Sequence, residues 1–128
     1  MNRPCLIIDD EHSSQNVLKS LIHKIDYLDL LHICNNALEA LEYLKNNAVD
    51  VLFLDINMPQ LSGISFYKSL KNPPKVIFTT AYSAYAIEGF EVEATDYLLK
   101  PFSFERFVKS VSKVKDLKDA KIEYIVIK

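Results

Sequence analysis

VLFLDINMPQLSG, residues 51–63, carries the strongest indication of the architecture of this chain. It starts with a strand-sized apolar run and continues into residues that stop strands, with Asp55 at the boundary. Four further strand-sized apolar runs lie on either side, at residues 5–8, 28–34, 76–79 and 96–99. Three of the five runs lack the polar alternation of a half-exposed strand, which indicates a parallel sheet covered by helices on both faces.

Segments with helical periodicity separate these runs. We expect the first helix to be capped by Ser13 or Ser14 and the second by Asn35 or Asn36, because these side chains can accept hydrogen bonds from free backbone N–H groups. The residues expected to face the core are Val17, Leu18, Leu21, Ile22 and Ile25 in the first helix, Ala37, Leu38, Leu41 and Leu44 in the second, and Phe104, Phe107, Val108, Val111 and Val114 in the last.

The remaining helical patterns complete a regular alternation along the chain. They cover residues 62–70 and 83–90, and a last helix is expected to begin near Ser103. Strands and helices of this length in the order βαβαβαβαβα predict an α/β fold, an open, doubly wound parallel sheet of about five strands. The pattern alone leaves the order of the strands within the sheet open.

Composition narrows the class of protein. A length of 128 residues, 49% apolar and 25% charged, fits one compact domain. The net charge of −2 and the scattered lysines argue against a nucleic-acid-binding surface in this segment. Cys5 and Cys34 lack the spacing of a zinc site or a disulfide framework. No signal peptide or membrane span is indicated, so we expect a cytoplasmic protein without membrane contact.

Polar side chains collect where the predicted strands end, which is where open α/β sheets bind ligands. They are Asp9, Asp10, Asp55, Thr80 and Lys100. Carboxylates brought together from two strands repel each other and need a cation, and magnesium prefers such oxygen ligands. A metal, an ammonium group, a hydroxyl and a nucleophile are the parts that phosphoryl transfer requires. Asp55, at the end of a rigid strand, is the best-held candidate acceptor.

Less specific explanations exist for the same residues. Asp9 and Asp10 taken alone fit a helix cap, and Asp55 fits a turn. A phosphatase of the haloacid-dehalogenase type would need an acid where Asn57 stands, since an amide is not a general acid. A flavin or nucleotide binder would need a less acidic first loop. The absence of GxxxxGK[ST] argues for a phosphoprotein or a small acyl phosphate as donor. A phosphorylation-independent interaction module stays open as the alternative function.

Four motifs resemble those of the response-regulator receivers, with proper order and spacing from Cys5 to about Val114. They are IIDDE at 7–11, FLDINMPQLSG at 53–63, FTTAY at 78–82 and DYLLKPF at 96–102. The resemblance implies a flavodoxin-like strand order, 2-1-3-4-5. It also implies a signalling switch rather than a turnover enzyme, which receives its phosphoryl group from a sensor histidine kinase.

The same resemblance assigns roles to individual residues. Asp55 would be the phosphoacceptor, and Mg²⁺ would be bound by Asp10, assisted by Asp9, with Asp55 and the backbone carbonyl of Asn57. Glu11 would be peripheral. The implied phosphoryl-binding and switch residues are Thr80 with its hydroxyl, Ala81 beside it, Tyr97 as the aromatic switch, and Lys100 held by a cis bond to Pro101.

The subgroup resembled is the one whose receivers precede a LytTR-type DNA-binding domain. On this basis residues 1–118 would form the receiver, and 119–128 a linker with the possible first strand of a separate DNA-binding domain. DNA would be contacted only through that other domain. Phosphorylation is expected to turn Tyr97 inward and to favour a homodimer through the surface of the fourth helix, fifth strand and fifth helix.

Overall fold

The computed structural model describes residues 2–82 and 92–114. In chain order the elements are β1 (Arg3–Ile8), α1 (His12–His23), β2 (Leu28–Cys34), α2 (Ala37–Asn46), β3 (Val51–Asp55), α3 (Gly63–Ser69), β4 (Lys75–Thr80) and β5 (Asp96–Leu99). A further helix covers residues 104–114. None of the described helices combines the length and apolar character needed to cross a membrane. The helix expected at 83–90 and the linker and strand expected at 119–128 lie outside the described residues.

The five strands form one parallel sheet in the order β2-β1-β3-β4-β5, which confirms the expected fold class and strand order. The register brings the carboxyl ends of the strands level. Ile8 pairs with Leu54, Asp55 with Thr79, and Thr80 with Leu99. Residues that follow directly after β1, β3, β4 and β5 therefore share one edge of the sheet.

Both faces of the central strands are buried. On one face Ile7, Phe53 and Ile77 pack with side chains of α1 and the 104–114 helix, whereas on the other Leu6, Leu52 and Val76 pack with those of α2 and α3. All five residues of β3 are buried. Burial of a large apolar side chain contributes roughly 1.5–3 kcal/mol, so this strand is a rigid support for whatever lies at its end.

The helix starts agree with the sequence in two of three cases. Asn36 caps α2 by accepting a hydrogen bond from the Glu39 N–H at 2.9 Å, and Ser103 accepts one from the Arg106 N–H at 3.0 Å. The cap predicted at Ser13 or Ser14 is wrong. The helix begins earlier, at His12, because the Asp9 carboxylate accepts a hydrogen bond from the Glu11 N–H and turns the chain there.

The helix faces that we predicted to lie in the core include residues that are exposed. Val17, Leu38, Leu41, Phe104 and Val108 were expected in the core and are exposed instead, Leu38 to 69% and Val17 to 50%. Helical periodicity marks an apolar stripe, but only its centre contacts the sheet. In α2 the side chain of Ala40 is fully buried, and this helix lies against β2, the edge strand, whose own side chains are partly exposed.

Candidate functional site

Three carboxylates converge at the carboxyl edge of the sheet. Oxygen atoms of Asp9, Asp10 and Asp55 all lie within 4.8 Å of one another, with Asp9 and Asp55 buried and Asp10 exposed. The parallel register explains this convergence, because β1 and β3 are adjacent and end at the same level. The clustering expected from the sequence is confirmed for these three residues.

The Asp9 carboxylate is held from two sides. One oxygen accepts a hydrogen bond from the Glu11 N–H at 2.9 Å, and the other accepts one from the Lys100 ammonium at 3.2 Å. Burial raises the pKa of Asp9, while these two donors oppose the rise. Asp9 thus fixes the turn before α1 without capping this helix, whose cap residue is Glu11, and Asp9 also faces the pocket. Glu11, expected to be peripheral, contributes its backbone to this arrangement.

The charge of Asp55 is less well compensated than that of Asp9, the other buried carboxylate of the pocket. Burial and the nearby charge of Asp9 raise the pKa of Asp55 to about 6, and Lys100 and the Asn57 N–H only partly offset them. Asn57 N–H donates to an Asp55 oxygen at 3.2 Å, whereas the Lys100 nitrogen is 3.8 Å away. Three neighbouring carboxylates without matching positive charge form a donor set that fits a hard divalent cation such as Mg²⁺.

Gly63 lets the backbone close tightly around Asp55. A Cβ atom at this position would overlap the backbone carbonyl oxygen of Asp55, so no larger residue fits. The Gly63 N–H also donates to the carbonyl of Ile56 at 2.9 Å. Sequence reasoning did not single out this glycine, although the signal was available, because the chain has only two glycines and one lies inside the motif.

The two threonines at the end of β4 have different environments. The Thr80 hydroxyl donates to the Asn57 side-chain oxygen at 3.1 Å and accepts from the Tyr82 N–H at 3.1 Å. The Thr79 hydroxyl is buried and has no hydrogen-bond partner among the described residues. Thr80 is therefore the threonine whose hydroxyl is hydrogen-bonded to a residue of the pocket. The resemblance had implied only the backbone carbonyl of Asn57, but its side chain is what holds Thr80.

Lys100 reaches across the pocket from the end of β5. The Lys100–Pro101 bond is cis, as the resemblance implied, and the Lys100 N–H donates to the carbonyl of Thr80 at 2.7 Å. The ammonium lies 3.2 Å from an Asp9 oxygen and donates to the Ser14 hydroxyl at 3.0 Å. The structure thus brings Asp9, Asp55 and Lys100 together, with the ammonium closer to Asp9.

The Gln15 side chain connects the loops that follow β1 and β2, a role that sequence spacing could not reveal. Its side-chain amide is buried and donates to the Asp9 carbonyl at 2.6 Å and to the Asn35 side-chain oxygen at 2.8 Å. These bonds tie the loop after β1 to the loop after β2. A glutamine on an amphipathic helix is ordinarily a solvent-facing residue, so only the packing of α1 on the sheet identifies its role.

The sequence matches one known protein family over most of its length. The family model described as the response regulator receiver domain matches residues 5–112. The chain belongs to the response-regulator receiver family. This receiver is 39% identical to the sensory transduction protein LytT of Bacillus anthracis over 92% of its own length, and 40% identical to the transcriptional regulatory protein LytR of Staphylococcus aureus over 88%. It spans about half the length of these relatives, 49% and 47%.

Solved structures agree with this assignment. The response regulatory domain of mrkE from Klebsiella pneumoniae superposes with a TM-score of 0.82 at 32% identity, covering 91% of the receiver and 98% of that chain. The response regulator TrrA from Thermotoga maritima, solved in complex with Mg²⁺-BeF, gives a TM-score of 0.77 at 29% identity, covering 88% and 98%. Receiver domains are signalling modules that bind Mg²⁺ at an acidic pocket and receive phosphoryl groups from sensor kinases.

Tyr97 of the receiver lies on β5 opposite Phe78 and is half buried. The two rings stack with centroids 5.3 Å apart, and burial raises the pKa of the Tyr97 hydroxyl. The Tyr97 backbone is fixed as well, because its carbonyl accepts a hydrogen bond from the Arg106 guanidinium at 3.1 Å. The Tyr97 ring therefore lies at the margin of the core, on the side of the sheet where residue 92 also packs.

An apolar groove opens beside the pocket of the receiver. It has a volume of about 420 Å³ and runs between the start of α1 and the chain after β5. The residues that line it include Val17, Ala81, Lys100, Pro101 and Phe102. Ala81 and Lys100 thus line the same groove, and the phosphoryl-binding role that the resemblance implies for Ala81 stays a prediction.

Proposed function

We propose that this receiver accepts a phosphoryl group on Asp55 from a sensor histidine kinase, in a reaction that requires Mg²⁺. The observation that carries the proposal is the convergence of Asp9, Asp10 and Asp55 within 4.8 Å, next to the Lys100 ammonium. Three acidic groups and one cation leave the site short of positive charge. A divalent cation supplies this charge, and the pocket can then accept an anionic phosphoryl group.

The metal ligands in this proposal are the carboxylates of Asp9, Asp10 and Asp55 and the backbone carbonyl of Asn57. All are oxygen donors, the kind that Mg²⁺ prefers. When bound, Mg²⁺ supplies electrostatic stabilisation of the charge on the phosphoryl oxygens. The protein's part is to hold the ligands on rigid strands, and the full burial of β3 and the close packing of Gly63 on Asp55 serve this purpose.

In the transfer step, a carboxylate oxygen of Asp55 forms a new bond to phosphorus. The N–P bond of the donor phosphohistidine breaks, and its electron pair stays on the imidazole nitrogen. The Lys100 ammonium is close enough to move from Asp9 toward the incoming phosphoryl oxygens, since it already lies 3.8 Å from Asp55. Attack by a water molecule on phosphorus later restores the Asp55 carboxylate and releases inorganic phosphate. The group that is modified is thus the protein's own side chain, so the protein is a switch and not an enzyme with a free substrate.

Thr80 links this chemistry to the output surface. Its hydroxyl is held by Asn57 before transfer and would have to leave this partner to donate to a phosphoryl oxygen. The Tyr97 ring already stacks on Phe78 of the neighbouring strand β4. When Thr80 moves away from Asn57, we expect this ring to turn further inward. We expect this change to favour a homodimer through the surface that includes β5. The helix expected at 83–90 would complete that surface and lies outside the described residues.

The donor needs a surface on which to dock beside Asp55. The apolar groove between α1 and Pro101 adjoins the pocket, and the half-exposed Val17 lines its wall. We place the phosphohistidine-bearing domain of the kinase there, because the groove shares Lys100 with the acidic pocket. Exposed apolar groups at such a position favour a protein donor over a nucleotide.

The output is proposed to be transcriptional. LytT of Bacillus anthracis and LytR of Staphylococcus aureus are about twice as long as this chain, and LytR is named a transcriptional regulatory protein. We propose that residues 1–118 form the receiver and that 119–128 lead into a separate DNA-binding domain, with all DNA contacts made there. The cytoplasmic location predicted from the sequence stays a prediction.

The test is intact mass after incubation with phosphoramidate, with and without Mg²⁺, for the wild type, Asp55→Asn and the matched control Asp29→Asn. We expect one phosphoryl group on the wild type and on Asp29→Asn, only with Mg²⁺, and none on Asp55→Asn. Asp29 is an exposed carboxylate on β2 and is a fair control for the loss of one charge. Uptake by Asp55→Asn would remove Asp55 as the acceptor. No uptake by any variant would favour the phosphorylation-independent interaction module.

A further inference from the structure

Ser14 makes two hydrogen bonds that connect the start of α1 to the pocket. Its hydroxyl donates to a Glu11 carboxylate oxygen at 2.7 Å and accepts from the Lys100 ammonium at 3.0 Å. A hydroxyl can donate one hydrogen bond, and the Ser14 hydroxyl donates it to Glu11. The lone pairs of the Ser14 oxygen are thereby turned toward Lys100, so Glu11 sets the orientation of Ser14 as an acceptor.

This acceptor determines where the ammonium stands. Two of its three N–H groups are engaged by Ser14 and by an Asp9 oxygen, at 3.0 and 3.2 Å. The distance from the Lys100 nitrogen to the nearest Asp55 oxygen is 3.8 Å, which is beyond hydrogen-bond range. Ser14 and Asp9 therefore hold the positive charge on one side of the pocket, while the Asp55 oxygen keeps an open approach.

We propose that Ser14, oriented by Glu11, is a positioning residue that holds the Lys100 ammonium beside Asp9 and off Asp55 until a phosphoryl group arrives. The inference rests on the proposed function in one respect, that Asp55 is the acceptor. Without the Ser14 hydroxyl, the attraction of opposite charges draws the ammonium to Asp55. A carboxylate oxygen that already accepts a charge-assisted hydrogen bond is a weaker nucleophile, so transfer to Asp55 becomes slower.

The kinetic test compares Ser14→Ala, Ser14→Thr and Ser20→Ala with the wild type, using phosphoramidate and saturating Mg²⁺. Ser20 is an exposed serine in the same helix, so Ser20→Ala matches the change in helix propensity. We expect Ser14→Ala to slow phosphorylation of Asp55 about three- to tenfold, the size of effect that the net contribution of one typical hydrogen bond has on a rate. Ser14→Thr keeps the hydroxyl and should stay within about twofold of the wild type, as should Ser20→Ala.

A spectroscopic test separates this inference from the proposed function. The lysine ammonium resonances of the Mg²⁺-free protein, observed by ¹H–¹⁵N NMR, report the position of Lys100 without any phosphoryl transfer. We expect the Lys100 signal, assigned with Lys100→Arg, to shift in Ser14→Ala and in Glu11→Ala and to keep its wild-type position in Ser14→Thr. An unmoved signal in Ser14→Ala would overturn the inference even if the wild type is phosphorylated. If the wild type takes up no phosphoryl group, the proposed function fails and the NMR result alone decides the position of Lys100.

Discussion

Asp55 is buried at the end of β3 and Asp96 is partly buried at the start of β5, and their surroundings shift their pKa values in opposite directions. Asp55 ends β3 among other carboxylates, and its pKa is raised to about 6. Asp96 begins β5, and its pKa is lowered to about 2 because hydrogen bonds from Arg106, the Tyr97 N–H and Lys113 outweigh its burial. Arg106 binds it through two nitrogens, at 2.8 and 3.1 Å.

The difference separates a structural carboxylate, Asp96, from the one that we propose as the phosphoryl acceptor, Asp55. Arg106 and Lys113 of the 104–114 helix compensate the negative charge of Asp96. These ion pairs join that helix to the sheet. Asp55 has no hydrogen-bonded cation among the described residues, and it keeps its charge only at a cost in stability. A binding site for a cation and a phosphoryl group is expected to carry such a cost, because the ligand compensates it later.

The largest expected effect comes from the same substitution at the two positions. At pH 8 without Mg²⁺, Asp55→Asn should raise the free energy of unfolding by about 3 kcal/mol, because it removes a poorly compensated charge. Asp96→Asn should lower it by about 2 kcal/mol, because it removes the partner of Arg106. Urea unfolding followed by circular dichroism measures both. Equal effects of the two substitutions would remove the contrast between the two sites.

The pH dependence of stability sharpens the comparison by separating the two groups. Asp55 ionises near 3.8 when unfolded and near 6 when folded, so its unfavourable contribution grows as pH rises from about 4 to 6. Asp96 ionises near 2 when folded, so its favourable contribution is complete above pH 4 and is lost as pH falls toward 2.

The difference in unfolding free energy between Asp55→Asn and the wild type should therefore grow by about 2 kcal/mol between pH 4 and 6 and level off above about pH 7. For Asp96→Asn, the stability deficit should appear between about pH 2 and 4. Urea titrations of the three proteins across pH 2 to 8 test both windows. A stability difference for Asp55→Asn that does not change across pH 4 to 6 would show that the charge of Asp55 is compensated.

The smallest of these effects is the response to Mg²⁺. At ten times its dissociation constant, a ligand of the folded state raises the free energy of unfolding by about 1.4 kcal/mol. We expect this rise for the wild type and for Asp96→Asn, and a much smaller one for Asp10→Asn, which removes an oxygen donor from the cluster. Sodium chloride at the same ionic strength is the control for screening. Equal stabilisation by both salts would argue against a specific metal site.

The strands and their polar ends could be predicted because both are local properties of the chain. An apolar run such as 51–54 identifies a buried strand without knowledge of its neighbours, and parallel strands end at a common edge. The meeting of Asp9, Asp10 and Asp55 follows from these two facts. The helix faces were predicted less well, because periodicity cannot tell how much of an apolar stripe the sheet covers, as Leu38 demonstrates.

Ser14 and Gln15 show more clearly which contacts cannot be predicted from the sequence. Both lie in the first turns of α1, and Ser14 was expected to cap this helix. It contacts Lys100 instead, 86 positions away in sequence, and Gln15 reaches Asn35, 20 positions away. No spacing rule connects such residues, because their distance depends on how α1 packs on the sheet.

The fold class, the five strand segments and the carboxylates that cluster at the sheet edge follow from the amino-acid sequence, since hydrophobic pattern and residue chemistry are properties of the chain itself. The opposite charge states favoured at Asp55 and Asp96, the position of the Lys100 ammonium and the role of Ser14 follow only from the folded structure. Desolvation and electrostatic interaction depend on distances between groups far apart in sequence, and these distances exist only after the sheet and helices have packed.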